Sequence, residues 1–521
     1  MGCVDGASRG NIWFMADTKR EIERKFEFTS VKAGRKGVPD LTGVGPIAAD
    51  QETGTVHLDA VYYDTPDRRL AAASLTLRRR TGGQDAGWHL KFPIAPGVRD
   101  ELRAPLSDTV PQTLADLVRS RVREGGLVPL VRLRSAREVR HLLDRNGCLL
   151  AELSTDTVHA ERLPGGEAAN WTEVEVELAE EVPARLLETI GRTLSKAGLK
   201  HSDSPSKLAR ALVETGDLVP ATPPAPPSDT GEYVLAYLRE QRDALIDYDP
   251  AVRRELADSV HQMRVATRRM RGAFKTYRKV IDRKVTDPIG EELKWLAGEL
   301  GVDRDQEVLM ERLQGHLAEV PQGLVMGPVR ARLKSWNRAR RSGSRRRTLA
   351  VLDSPRYLVL LDTLDALLAE PPLLSAATRP PTKTFPRAVL RDYERLSGRI
   401  DHALTLAPGE ERDLALHEAR KAAKRARYAA EAAVPALGRP SARLAKRIKK
   451  VQTLLGDHQD SVVARQALRV LAAQAQGVGE SGFTWGLLYG REEALAQRRE
   501  RELPEVWANA ATPALRAALG G

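Results

Sequence analysis

The sequence predicts two unlike parts in one chain, an antiparallel β domain closed on itself followed by an all-α domain, on three observations. Between Glu21 and Leu178, short segments alternate charged and apolar residues with period two. From about Glu232 the apolar period becomes helical, and one helical string occurs twice. Between them, GDLVPATPPAPPSDTG carries five prolines in sixteen residues, the composition of an extended, semi-stiff spacer.

At 521 residues the chain exceeds one ordinary core. Hydrophobic residues at 42% and charged residues at 29% give a globular balance, and the absence of an apolar run of about 18 residues predicts no membrane span. Residues 1–17 lack the basic start and apolar centre of a secretory signal and are expected to be a flexible leader. Cys3 and Cys148, the only cysteines, cannot make a disulfide scaffold, which suits a reducing cytoplasm. The net charge of +12 is uneven: residues 231–521 hold 51 Lys+Arg against 37 Asp+Glu, and the rest 31 against 33. A basic C-terminal part attracts polyanions.

In order, EIERKFEF places Glu21, Glu23 and Lys25 on one strand face and Ile22 and Phe26 on the other. HLDAVYYDTP is an aromatic strand closed by a turn. SLTLRRR puts Arg78 and Arg80 in phase, and WHLKF sets Lys91 opposite Leu90 and Phe92. VRDELR aligns Arg99, Glu101 and Arg103; CLLAELSTDTVHA aligns Glu152, Ser154 and Asp156; WTEVEVEL aligns Glu173, Glu175 and Glu177. At least six such antiparallel strands are expected to close or sandwich, removing their edges. If the charged faces turn inward, the acidic pairs require a cation and the basic residues an anion, which is the equipment for a metal-chelated polyphosphate.

The E-x-E-x-K start, YYDTP, TLRRR, W-x-L-K, the E-x-E of Glu173 and Glu175, and PSKLARAL occur in the order found in the CYTH family, the triphosphate tunnel metalloenzymes, which residues 18–214 resemble. The resemblance implies an eight-stranded antiparallel β-tunnel holding a linear triphosphate. It implies Glu21, Glu23, Glu173 and Glu175 as ligands of Mg²⁺ or Mn²⁺, with Lys25, Arg78, Arg80, Lys91, Lys207 and, by a looser alignment, Arg137 holding phosphate. Glu21, Glu23 and Lys25 are the expected catalytic centre. Ser206 reads as a turn or helix cap rather than a nucleophile. Hard carboxylate oxygens suit these ions, and positioned cations supply most of phosphoryl-transfer catalysis without a Ser/His/Asp nucleophile.

In the helical part, HQMRVATRRMR and HEARKAAKRAR share His, then cations at offsets 3, 7, 8 and 10. Offsets 0, 3, 7 and 10 form one helical stripe. His261, Arg264, Arg268 and Arg271 share one face, as do His417, Arg420, Lys424 and Arg427, with Lys421 beside them. Gly301-x-x-x-Asp305 and Gly456-x-x-x-Asp460 follow at matching separations, so two copies of a unit of about four helices are expected. These strings resemble the CHAD family, which implies two pseudo-symmetric four-helix bundles (about 231–369 and 387–521) whose stripe residues bind inorganic polyphosphate. Asp305 and Asp460 are expected to orient the arginines.

The combined expectation is a cytoplasmic, divalent-metal-dependent triphosphatase acting on inorganic tripolyphosphate, with a helical part that binds long-chain polyphosphate and associates with its granules. Alternatives are thiamine triphosphatase or adenylate cyclase activity in the same tunnel, or a non-catalytic polyphosphate or granule-targeting binder. Aromatic residues at 5% disfavour a nucleic-acid stacking surface.

Overall fold

The computed structural model describes residues 17–216, 225–341 and 343–520. The leader expected over 1–17 lies, but for Asp17, outside the described residues, as do Cys3 and residues 217–224 of the expected linker. The chain forms two compact units, residues 1–223 and 224–521. Among the described residues no helix is long and apolar enough to cross a membrane.

The first unit runs β1 (Asp17–Phe28), α1 (Val31–Lys36), β2 (Ala49–Asp64), α2 (Arg69–Ala72), β3 (Thr76–Thr81), β4 (Gly87–Ala95) and β5 (Val98–Ala104). It continues with α3 (Gln112–Val122), β6 (Val128–Leu143), β7 (Leu149–Arg162), β8 (Ala168–Leu178), α4 (Arg185–Lys196), β9 (Leu199–His201) and α5 (Lys207–Glu214). Strand order is β5-β4-β3-β2-β6-β7-β8-β1, and β1 pairs with β5, so eight antiparallel strands close into a barrel with β9 added beside β1.

The barrel is apolar outside and charged inside. Leu77, Trp88, Leu90 and Leu102 pack outward under Leu114 and Val118 of α3. Phe26, Val174 and Val176 pack outward under Leu187, Ile190 and Leu194 of α4. These faces are the out-of-phase partners of Lys91, Lys25, Glu173 and Glu175, so burying them against helices turns the charged phase into the lumen. Gly97, at φ +73°, is required where the β4–β5 turn meets β1: a Cβ there would lie 2.7 Å from the Glu23 carbonyl oxygen. One end of the lumen is filled by α5, whose Leu208, Ala211 and Leu212 pack on Tyr62, Leu133, Val158 and Trp171.

The second unit is all helical: α6 (Thr230–Arg253), α7 (Ser259–Thr276), α8 (Arg283–Glu299), α9 (Gly301–Ala318), α10 (Val329–Arg341), α11 (Ser344–Leu352) and α12 (Pro355–Ala369). Then follow α13 (Pro381–Thr405), α14 (Glu410–Ala432), α15 (Val434–Leu437), α16 (Arg439–Gln476), α17 (Phe483–Ala510) and α18 (Pro513–Gly520). The two His-anchored strings lie on α7 and α14, and the two Gly-x-x-x-Asp segments on α9 and α16. The second half carries four long helices with the short α15 and α18, whereas the first divides its chain further: α8 ends at Glu299 and α9 begins at Gly301, while α16 runs unbroken through Gly456.

Candidate functional site: a charged lumen and a basic groove

The barrel register brings the charged strands together. Glu23 faces Glu177 and Lys25 faces Glu175 across β1–β8; Lys91 faces Glu101 across β4–β5; Arg137 faces Asp156, which faces Glu173, across β6–β7–β8. The cavity so enclosed measures about 700 Å³ and is lined by Glu21, Glu23, Lys25, Arg78, Arg80, Lys91, Arg137, Glu175 and Lys207 among others. Every predicted phosphate-holding residue of the lumen is on this wall.

Each cation is held by carboxylates. Lys91 lies 2.5 Å from Glu21, and Lys25 contacts Glu175 and lies 3.5 Å from Glu23. Arg137 reaches Asp156 at 2.8 Å and Glu175 at 2.9 Å. Lys207, at the first position of α5, lies 2.6 Å from Glu175, 2.7 Å from Glu173 and 3.1 Å from Asp156. Ser206 accepts from the Ala209 amide at 3.0 Å, so it is the cap that starts α5 and aims Lys207, as its sequence position suggested.

These neighbours set the charge states. Burial works against an ionised Glu175, yet Lys207, Lys25 and Arg137 outweigh it and hold the carboxyl well below its usual range. Burial likewise opposes ionisation of Glu23, and Lys25, Lys91 and Arg99 reverse it. Glu21 is pushed up by burial and by Glu101 and Glu177, with Lys91 opposing. Burial and the neighbouring Arg78 and Arg137 lower Arg80 to about 9.

Asp156, Glu173 and Glu175 offer oxygens within 4.8 Å of one another. This buried set of hard donors, with the Lys207 ammonium already among them, fits a divalent cation such as Mg²⁺ or Mn²⁺. Of the four carboxylates expected to hold Mg²⁺ or Mn²⁺, Glu173 and Glu175 stand with Asp156, while Glu21 pairs with Lys91 and Glu23 shares Lys25 with Glu175. Asp156 was visible in the lumen phase, but its place beside Glu173 depends on the β7–β8 register. Sequence reasoning also passed over His89, which lies 2.9 Å from Glu101, the carboxylate that also faces Lys91, Arg78 and Arg103. Burial lowers His89 to about 4, so the ring is neutral. Tyr62, in the sequence a part of the YYDTP motif with no role of its own, receives a hydrogen bond on its hydroxyl from Arg78 at 3.2 Å.

In the helical unit, a groove of about 750 Å³ is lined by Arg268 and Arg271 of α7 and by His417, Lys421 and Lys424 of α14. Arg425, the offset-8 cation of the second string, joins them, as do Lys275, Arg395 and Arg399, three cations outside the repeated strings. The remaining stripe residues stand elsewhere. Arg264 and Arg420 turn to Asp305 at 3.0 Å and Asp460 at 3.8 Å, the orienting pairs expected. Arg427 pairs with Glu431 at 3.3 Å and covers the Tyr428 ring at 4.7 Å. His261 is half-buried and does not line the groove, whereas His417 Nδ1 lies 2.7 Å from Gln459. Burial, with Arg420 and Arg268 close by, lowers Lys424 to about 7.

Comparison with known proteins places both units. The CYTH domain matches residues 19–212 and the CHAD domain residues 236–469. Two uncharacterized proteins of Mycobacterium tuberculosis, strains CDC 1551 / Oshkosh and ATCC 25618 / H37Rv, are each 39% identical over 502 residues, covering 93% of this chain and 94% of the relative. Among solved structures, PptA from Streptomyces chartreusis is 21% identical, covering 54% of this chain and 100% of its own, at TM-score 0.47. The CHAD domain from the plant Ricinus communis is 26% identical, covering 56% and 96%, at TM-score 0.43. The chain belongs to the CYTH–CHAD family, a CYTH triphosphate tunnel domain followed by a CHAD domain.

Proposed function

We propose that the barrel hydrolyses inorganic tripolyphosphate with a divalent metal, and that the helical unit binds long-chain inorganic polyphosphate. The convergence of Lys25, Lys91, Arg78, Arg80, Arg137 and Lys207 with buried carboxylates inside one closed wall carries the reading. CYTH enzymes are triphosphate-hydrolysing metalloenzymes, and the choice of tripolyphosphate rests on a lumen without a base-stacking wall: among the described residues, Tyr62 is the one Phe, Tyr or Trp lining it.

The cations hold the non-bridging oxygens of the linear chain and stabilise charge passing to the leaving group. Glu101 braces Lys91, Arg78 and Arg103 from one side, and Glu175 braces Lys25, Arg137 and Lys207 from the other, so little reorganisation accompanies binding. Asp156, Glu173 and Glu175, with Glu21 and Glu23 nearer the other end of β1, are the oxygens that would hold Mg²⁺ or Mn²⁺. When bound, such an ion withdraws charge from phosphoryl oxygens and acidifies water.

Phosphate release from tripolyphosphate, ATP and thiamine triphosphate, assayed side by side with a metal titration, tests the reading. Tripolyphosphate is expected to turn over fastest and only with metal. Preference for either of the other two reassigns the tunnel, and no turnover of any makes it a binder.

A further inference from the structure

The first helix of the second half carries a second row of cations that the His-anchored strings do not include. Lys383, Arg387, Arg391, Arg395 and Arg399 recur every fourth residue along α13. Such residues form one ridge inclined to the helix axis, here about 24 Å long at about 1.5 Å per residue. Exposed helical cations ordinarily pair with acids three or four residues away. Among the described residues, Lys383, Arg387, Arg395 and Arg399 make no ion pair, and all four are exposed.

The ridge has a built site at each end. Arg395 and Arg399 line the central groove with Lys275 and Arg425. At the other end, Lys383, Arg387 and Arg391 line a separate cavity of about 370 Å³ with Lys279 and Arg379, and no carboxylate is among its lining residues. Arg391 donates to the Thr276 carbonyl, while its buried Nε has no hydrogen-bond partner. One helical turn separates Arg391 in the second cavity from Arg395 in the first. Beneath the row, buried Asp392 holds Arg425 at 2.8 Å and accepts from the Thr276 hydroxyl at 2.5 Å, fixing the two neighbouring helices against α13.

We infer that the α13 ridge and the Lys279–Arg379–Lys383 cavity form a second anion subsite, over which a polyphosphate chain seated in the central groove continues. The inference rests on the polyphosphate reading of the helical unit and adds a chain-length preference to it: a short chain fills the central groove alone, whereas a long one engages both cavities. The cavity offers cations and the Thr384 hydroxyl, and Tyr277, the aromatic residue in its lining, is buried, which suits a flexible phosphate chain rather than a nucleotide.

The test compares the full chain with Lys383→Ala/Arg387→Ala, two exposed residues without ion pairs, and with Arg268→Ala/Lys424→Ala, using long-chain and short-chain polyphosphate over a salt series. The ridge double variant is expected to lose on the order of tenfold in long-chain affinity, to lower the logarithmic salt slope by about two, and to bind the short chain as the wild type does. The groove variant is expected to lose both. Long-chain affinity and salt slope unchanged in the ridge variant, with the groove variant weakened, overturn the subsite alone. A wild-type chain that binds neither polyphosphate overturns the subsite together with the reading beneath it.

Discussion

The Lys207 ammonium on α5 lies 2.6 Å from the Glu175 carboxylate on β8, and the same nitrogen reaches Glu173 and Asp156. One lysine therefore touches all three of the buried carboxylates that best fit a metal. Lys207→Met leaves them facing one another with Arg137 and Lys25 as their remaining cations. Breaking a buried pair from one side costs about 3–5 kcal/mol. The variant is expected to melt well below the wild type in chelator, and Mg²⁺ or Mn²⁺ is expected to restore more of its Tm than it adds to the wild type. Equal metal shifts in both proteins would place the ion away from the trio.

Glu175 touches Lys25, Arg137 and Lys207 at once, so it positions three phosphate-holding cations besides offering an oxygen to metal. Glu175→Gln keeps the volume and removes the charge. A loss of about 100-fold or more in kcat for tripolyphosphate is expected, comparable to removing a preorganised transition-state contact. Single-turnover phosphate release checks it, and activity within a few-fold of wild type would remove Glu175 from the site.

The strand faces were legible because charge recurs in one phase: Glu21, Glu23 and Lys25 must face together whatever the partner strand, whereas closure into a barrel rested on the resemblance to the CYTH family. What lay beyond one strand was not. The alignment of Arg137, Asp156 and Glu173 across three strands is a matter of register, and a one-residue slip would separate them. In the helical unit the repeated string pointed to Arg268 and Lys424, both on the groove, but it gave equal standing to Arg264 and Arg420, whose acidic partners come from other helices, and to Arg427, which pairs with Glu431 one turn on in its own helix. The α13 row occurs once in the chain, so no internal repeat marks it.

The two Gly-x-x-x-Asp segments differ in how much room the arginine leaves. A Cβ on Gly456 would sit 3.7 Å from the Arg420 guanidinium, ordinary contact, whereas one on Gly301 would sit 2.8 Å from that of Arg264. Gly456→Ala, within the continuous α16, is expected to stabilise the helical unit by about 0.5–1 kcal/mol through helix propensity. Gly301→Ala must displace Arg264 from Asp305 and is expected to show no such gain. Urea unfolding of both variants checks the pair; a gain at Gly301 as large as at Gly456 would show that the Arg264 contact carries no weight.

His458 is buried with Nε2 3.3 Å from both Asp413 and Glu500, and Arg465 and Arg412 face the same two carboxylates. Burial disfavours the imidazolium, but the two carboxylates outweigh it and raise the folded pKa above 6.5. With the folded value above the unfolded one, this stabilisation is complete below about pH 6.5 and is lost as pH rises through the folded pKa. The helical transition of the wild type is expected to fall in Tm over that interval more steeply than that of His458→Gln. Parallel pH profiles would show that the ring is neutral in the folded state.

Lys424 gives the groove a pH dependence of the opposite origin. Burial comes first in lowering it to about 7, and Arg420, Arg268 and Arg264 add to the effect while Asp460 opposes it. Below that pH it is an ammonium facing the groove; above it the free protein carries an amine there. A bound polyanion restores the charge, so binding at pH 8 must take up a proton, and affinity must fall as pH rises from 6 to 8. The change is bounded by one group, about tenfold for each pH unit above 7 until the bound form also titrates. Lys424→Arg keeps a cation at every pH in this range and is expected to flatten the profile without abolishing binding. Calorimetry of long-chain polyphosphate binding in buffers of different ionisation enthalpy reads the proton directly: uptake that disappears in Lys424→Arg assigns it to this side chain, and identical uptake in both proteins assigns it elsewhere.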